Sequence, residues 1–188
     1  MLAEWGRKVN LTAARTPADR VRLLVEPVLP AQALPEPGAL LDVGSGNGSP
    51  GLVLALLRTD LQVTLLEPRA RRWAFLREAV RRVGGPPVRV LRGRHDDYAG
   101  PPVRTVTLRA LALPLTEIAP LLEPAGRLLV FGGTPRLAGP FALEDAGPEA
   151  GDTRVFRRLG GGVSRGTPPS AHAGVSRGTS RPGKPSGE

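Results

Sequence analysis

Two acids and four glycines carry the chemistry that is most legible in this chain. The segment Asp42-Val43-Gly44-Ser45-Gly46-Asn47-Gly48-Ser49-Pro50-Gly51 follows a short apolar run, and Glu67 ends the next one. Glycines let a strand turn sharply and let backbone N–H groups come close to a ligand. An acid at the end of the following strand can accept hydrogen bonds from both hydroxyls of a ribose. Together these residues predict a site for a nucleotide-like cofactor. A tight turn that binds nothing is the plain alternative.

Asp42 narrows the choice of cofactor. Gly46-x-Gly48-x-x-Gly51 formally fits the dinucleotide pattern, but such a match carries little weight alone. A pyrophosphate at this turn would be repelled by Asp42, whereas the ammonium of an amino-acid moiety would be attracted, directly or through water. S-adenosylmethionine has an amino-acid end and an adenosine end, so acids at both Asp42 and Glu67 suit it. No Gly-Lys-Ser/Thr follows the turn, so it is not a phosphate-binding P-loop.

The composition excludes other chemistry. The chain has 188 residues and no cysteine, which removes disulfides, zinc ribbons, iron–sulfur clusters and thiolate nucleophiles. His95 and His172 are the only histidines and lie far apart, so no metal site is expected. The formal charge is +9, carried by arginine, with Lys8 and Lys184 the only lysines. Such a balance favours acidic partners, nucleic acid first. High-GC codon usage inflates Arg, Gly, Pro and Ala together, so the charge alone decides nothing. Aromatics are 4% of the chain, too few for more than a small base-stacking platform. The longest apolar run, Leu52 to Leu57, is far too short to span a membrane. No apolar stretch follows Glu4, Arg7 and Lys8, so no signal peptide is read there. A soluble, cytoplasmic monomer is expected.

The elements that must position these residues alternate between strand and helix. Strands are read at 39–43, 61–66, 88–91, 103–108 and 127–131, and helices at 19–29, 50–57, 68–83 and 115–122. In the third helix Trp73, Leu76, Val80 and Val83 share one face. The spacing predicts βαβ units around a mostly parallel seven-stranded sheet with helices on both faces, an α/β Rossmann-like fold. Residues 141–143 and 153–158 supply its final antiparallel pair. The domain is placed at 1–159, with a short N-terminal helical segment. From Gly160 to Glu188, Gly, Pro and Ser make up 17 of 29 residues, and Val-Ser-Arg-Gly-Thr occurs at 163 and again at 175. That stretch cannot offset its ordering entropy and is read as a disordered tail.

Four motifs in sequence order resemble one family. They are Asn10-Leu11-Thr12-Ala13, then Leu41-Asp42-Val43-Gly44-Ser45-Gly46-x-Gly48-x-Pro50-Gly51, then Leu65-Leu66-Glu67, then Arg71-Arg72-x-x-Phe75-Leu76-Arg77. They look like the small-subunit ribosomal RNA methyltransferase G family, also known as glucose-inhibited division protein B, over residues 5 to 158. The resemblance implies a class I methyltransferase that moves methyl from S-adenosylmethionine to guanine N7 of small-subunit (16S) rRNA, alone or in the ribosomal subunit. It assigns Gly44 and Ser49 to the cofactor lining. It sets His95 and Asp96 where the family has a small or apolar residue followed by Glu beside the adenine. Arg109 matches the arginine at the end of the fourth strand and joins Asp42, Gly44, Gly46, Ser49, Glu67, His95 and Asp96 to make the eight expected cofactor residues.

The chain departs from the family at several places. Leu23 stands where a histidine is common, Gly132 where a lysine is common, and Ser49 where an aromatic or leucine is conventional. The N-terminal extension is short.

Residue chemistry runs beside this resemblance. Guanine N7 is a lone pair with no proton to lose, so attack there needs no general base, and no convincing base is visible. Cytosine C5 methylation needs a thiolate, which the chain lacks. Leu108-Arg109-Ala110-Leu111 is not the Asn/Asp-Pro-Pro-aromatic run typical of amine methylation. Arg71, Arg77, Arg81 and Arg82 lie off the apolar face of their helix. With Arg109 they form a candidate RNA-binding stripe, the alternative being a solvated helix face. Two other readings remain: a methyltransferase with an altered substrate, and a catalytically silent RNA-binding relative.

Overall fold

A computed structural model describes residues 1–6, 9–133, 135 and 138–160. Seven strands form one sheet in the order β3-β2-β1-β4-β5-β7-β6. β1 (Gly38–Val43), β2 (Leu61–Leu66), β3 (Arg89–Leu91), β4 (Val103–Arg109) and β5 (Leu122–Phe131) run parallel. β7 (Thr153–Arg158) runs antiparallel to both β5 and β6 (Phe141–Glu144). Chain order reverses between β1 and β4, which opens a crevice beyond the strands' carboxyl ends. Register puts Asp42 beside Leu65 and Thr107, and Val43 beside Leu66 and Leu108. Gly44, Glu67 and Arg109 therefore emerge at the same edge.

The strands are apolar runs because both faces are covered. Leu40, Val63, Leu65, Leu129, Phe131 and Val155 point to one side, against α3 (Gly51–Leu57), α4 (Ala70–Val83) and the N-terminal segment that begins with α1 (Leu2–Gly6). Leu41, Val43, Leu66, Val106, Leu128 and Phe156 point to the other, where α5 (Leu115–Ile118) covers them. The expected fold class stands.

Several boundaries differ from the sequence reading. The helix expected at 19–29 is α2 (Pro17–Leu24), followed by two short 3₁₀ turns, Glu26–Val28 and Pro30–Ala33. Thr16 and Asp19 close a capping box, and Pro17 fits the first turn, so the helix starts early. Pro27 denies the helix a backbone donor and stops it. α5 is one turn long, followed by the 3₁₀ turn Ala119–Leu121, which contains Pro120. β5 starts at Leu122, five residues ahead of expectation. Its first half contains Pro124 and Gly126, with Ala125 at φ +62°, opposite a register shift between Val103 and Thr105. The sequence resembles a turn there because the strand is irregular there.

In α4 the buried stripe is Phe75, Leu76 and Ala79, while Val83 is 47% exposed. The stripe is rotated from the expected one, with Ala79 buried in place of Val80 and Val83 and Trp73 partly buried at its edge. The Trp73 indole donates to the Val90 carbonyl of β3 at 3.4 Å, and Trp5 meets Phe75 edge to face. The expected tail lies outside the described residues, Gly160 apart. Among the described residues no helix is long and apolar enough to cross a membrane, and no three metal-ligating groups converge.

Candidate active site

The turn after β1 is held from below. Gly44 and Ser45 N–H both donate to the Leu66 carbonyl, at 2.8 and 3.1 Å, which locks the turn to the end of β2. Gly44, Gly46 and Gly48 all have positive φ, at +73°, +53° and +93°, a region that side chains strain to reach. Gly51 lets α3 close onto β1: a Cβ there would lie 2.6 Å from that of Asp42.

Glu67 is 2% exposed and joins two loops. Its Oε2 accepts from Gly46 N–H and its Oε1 from Arg69 N–H, both at 2.9 Å. A carboxylate has about four acceptor positions, so two remain for a ligand. Above it opens a cavity of about 520 Å³, whose lining includes Gly44, Gly46, Ser49, Glu67, His95 and Arg109. The structure thus brings six of the eight expected cofactor residues to one place.

Asp42 and Asp96 are not on that lining. Asp42 lies beneath the turn, 1% exposed. Its Oδ1 accepts from the Thr107 hydroxyl at 2.6 Å, and Oδ2 has no hydrogen-bond partner among the described residues. Burial pushes its carboxyl up to about 6, against the opposing pull of Thr107. The acid is aimed under the glycines by its place in the strand's alternation, so it supports the turn rather than facing the cavity. Asp96 points outward to Arg94, at 3.2 Å. The tight turn from Arg94 to Asp97 sets this: Asp97 N–H donates to the Arg94 carbonyl and the Asp97 carboxylate takes Arg94 N–H. His95 alone is turned in, its Nε2 2.6 Å from Glu117 Oε2 of α5.

Arg109 stands at a junction. It donates through Nη1 to Ser49 Oγ and through Nη2 to the Leu23 carbonyl. Burial lowers its pKa, and the nearby Asp42 charge works the other way. Arg109 lines the cavity above Glu67 and also an apolar cleft of about 760 Å³ between the ends of β4 and β5. Leu111, Leu113, Phe131 and Gly132 belong to that cleft.

Two contributors escaped the sequence reading. Asn47 donates to the Leu11 carbonyl at 2.9 Å, and Arg72 to the Asn10 carbonyl at 2.8 Å. Both line the cavity and tie the N-terminal segment over it. The signal was present, since Asn10-Leu11, Asn47 and Arg72 lie in motifs already singled out. What was hidden is that the segment's backbone, not its side chains, makes the contact.

The expected arginine stripe on α4 is uneven. Arg81 and Arg82 both bind Glu78, at 2.8 and 2.6 Å. Arg77 lies over the Trp73 ring, 4.9 Å from its centroid. Arg71 is exposed and makes no ion pair among the described residues. Arg69, Arg72, Arg94 and Arg109 instead rim the cavity itself.

The family described as GidB, rRNA small subunit methyltransferase G, matches residues 1–138. The chain belongs to this family. Among its relatives, ribosomal RNA small subunit methyltransferase G of Streptomyces coelicolor is 44% identical over 140 residues, covering 71% of this chain and 58% of its own length. The protein of the same name from Halorhodospira halophila is 40% identical over 138 residues, covering 71% of this chain and 65% of its own. The chain thus spans little more than half to two thirds of these relatives. A SAM dependent methyltransferase from Aquifex aeolicus shares the fold, with a TM-score of 0.53 at 18% identity, over 77% of this chain and 94% of that one. The family match stops at 138, short of the 158 expected from the sequence, so β6 and β7 lie beyond it.

Proposed function

We propose that this member of the methyltransferase G family is an S-adenosylmethionine-dependent methyltransferase acting on guanine N7 of small-subunit rRNA. The observation that carries it is the cavity at the strand-order reversal, with the Glu67 carboxylate in its floor and an apolar cleft joined to it at Arg109.

The residues present fit the cofactor. Gly46, at φ +53°, keeps a side chain off the turn where one would stand in contact with the Gly44 carbonyl at 3.6 Å and with Arg72 Nη1 at 3.8 Å. Glu67 keeps acceptor capacity for a ribose diol. His95 lies where the adenine is expected, and Arg72 has donors for the carboxylate of the amino-acid end. When bound, S-adenosylmethionine supplies an electrophilic methyl whose transfer leaves a neutral thioether and a methylated, cationic base, with no proton to move.

The chain's own part is alignment, which is most of what an in-line displacement needs. Leu111, Leu113 and Phe131 offer the acceptor ring an apolar slot. The arginines around the mouth supply phosphate contacts that position the RNA without reading its sequence. No side chain need act as a base.

Guanine N7 methylation labilises the base, so borohydride–aniline cleavage of rRNA reads the product. Incubating the protein with cofactor and small ribosomal subunits or naked rRNA is expected to create a new cleavage site. Cofactor binding without any new cleavage would assign a silent RNA-binding relative instead. Leu23 and Gly132, where the family commonly has His and Lys, would then be the first positions to restore.

A further inference from the structure

Four main-chain carbonyls ahead of β1 accept hydrogen bonds from four side chains of the cavity. The Asn10 carbonyl receives Arg72 Nη2 at 2.8 Å, and the Leu11 carbonyl receives Asn47 Nδ2 at 2.9 Å. The Leu24 carbonyl receives the Ser49 hydroxyl at 2.6 Å, and the Leu23 carbonyl receives Arg109 Nη2. Arg72, Asn47, Ser49 and Arg109 all line the cavity above Glu67. Leu23 and Leu24 close α2, where carbonyls have no partner inside the helix. Residues 10–15 form neither helix nor strand, which leaves their carbonyls open to such bonds.

Little else holds this stretch. Between Leu11 and Leu24 the one other buried residue is Ala14. A segment with so few buried apolar contacts opens at a fraction of the free energy that unfolds the domain.

Docked, the stretch builds part of the cavity. The Leu11 side chain is itself on the lining and is 7% exposed. Arg72 reaches from the Asn10 carbonyl over the glycine turn, its Nη1 3.8 Å from where a Cβ on Gly46 would stand. Undocking would remove the Leu11 wall and release Arg72 and Asn47 to water. A ligand that fills the cavity therefore meets a more complete site when the stretch is docked. A difference in affinity between the two states acts in both directions by linkage.

We infer that residues 9–25 are a strap belonging to the cofactor site: the docked strap tightens cofactor binding, and bound cofactor in turn holds the strap down. The inference rests on the S-adenosylmethionine reading of the cavity, and S-adenosylhomocysteine is the probe that tests it.

Trypsin reads the strap directly in the full chain. Arg15 and Arg22 are exposed cleavage points within it. Cutting there draws the stretch off the rim, so with fast opening and closing the rate follows the open population. Arg127 lies inside β5 and reports unfolding of the whole domain. In wild type, S-adenosylhomocysteine should slow cleavage after Arg15 and Arg22 about fivefold or more, levelling off once the cavity is saturated. Protection at Arg127 should keep growing with ligand concentration. Unchanged strap cleavage overturns the coupling. So does protection that tracks Arg127 without levelling off, since the strap would then open only with the whole fold.

The reciprocal arm is calorimetry on Ala14→Glu. Ala14 is buried but is not on the cavity lining, so a carboxylate there disturbs docking and leaves the cavity's own side chains in place. The variant should speed strap cleavage without ligand and weaken S-adenosylhomocysteine binding about fivefold or more. A freed strap with wild-type affinity overturns the inference. If Ala14→Glu does not fold, Ala14→Val, a milder overpacking, carries the same arm. If wild type binds no S-adenosylhomocysteine, the cofactor reading fails and the coupling with it. Binding that leaves the strap unprotected defeats the coupling alone.

Discussion

Glu67 does at one residue what the fold does at large: it links the end of β2 to the turn after β1. Its two oxygens already hold Gly46 and Arg69 N–H groups. Glu67→Ala is therefore expected to cost both the ribose contact and the shape of the turn. The affinity for S-adenosylmethionine should weaken by about 1–3 kcal/mol in calorimetry. Glu67→Gln keeps one acceptor oxygen and should lose less. Equal binding by wild type and Glu67→Ala would rule out this site.

Asp42 has a different signature, because it is buried beneath the turn rather than open to the cavity. Its carboxyl titrates near 6 in the fold against an ordinary 3.8. A raised carboxyl pKa means the fold prefers the neutral form. Stability from this group is thus highest below about 4, is lost as pH rises toward 6, and stays lost above it. The full penalty is roughly 3 kcal/mol. Asp42→Asn keeps an acceptor for Thr107 and removes the charge. Its stability relative to wild type should rise between pH 4 and pH 7. Urea unfolding at both pH values checks this, and a pH-independent difference would mean the carboxyl is not buried in its charged form.

At the scale of elements, α4 shows why a charge run is not a binding stripe until its partners are known. Glu78 holds Arg81 and Arg82. Arg71 is next in sequence to Arg72, which lines the cavity, and has no such partner among the described residues. Arg71→Ala should weaken RNA binding and reduce the salt slope by about 0.7–0.9, the value of one phosphate contact. Arg81→Ala should leave both nearly unchanged. Fluorescence anisotropy at several salt concentrations separates the two, and equal effects would restore the even stripe.

What the sequence disclosed divides along the same line. Strand, glycine turn, helix and terminal acid are local signals, so the site's floor at Gly44, Gly46 and Glu67 was legible. The hold of Arg109 on Leu23 and Ser49 joins residues 86 and 60 positions apart. One partner is a backbone carbonyl, which has no signature in the residue code. The outward turn of Asp96 depends on the hydrogen bonds of Asp97, and the stripe of α4 on which of its faces meets the rest of the core. Each is a tertiary decision that spacing alone does not contain.

At the scale of the whole molecule, the family match and the fold end in different places. Residues beyond 138 lie outside the match, yet β7 sits between β5 and β6 and serves both cores. Val155 packs with one face of the sheet and Phe156 with the other, each 2% exposed. Arg127 of β5 and Arg157 of β7 both reach Glu144 of β6, at 2.7 and 3.1 Å. Ending the chain before Thr153 removes both apolar anchors together with the strand that carries them, and loss of a buried phenylalanine such as Phe156 alone costs about 3–5 kcal/mol. A fold of this size has a total stability of about 5–15 kcal/mol, so that form should not fold. Ending it after Gly160 removes a stretch whose only aliphatic side chains are Val163, Ala171, Ala173 and Val175. Gly, Pro and Ser dominate the rest, and such composition offers no core to lose. The melting temperature of the 160-residue form should stay within about 2 °C of the full chain, and cofactor affinity should be unchanged. Calorimetry on the two truncations decides the matter. A cooperative transition in the shorter form would show that β7 is dispensable to the cores, and a clear loss in the longer form would show that residues 161–188 pack against them.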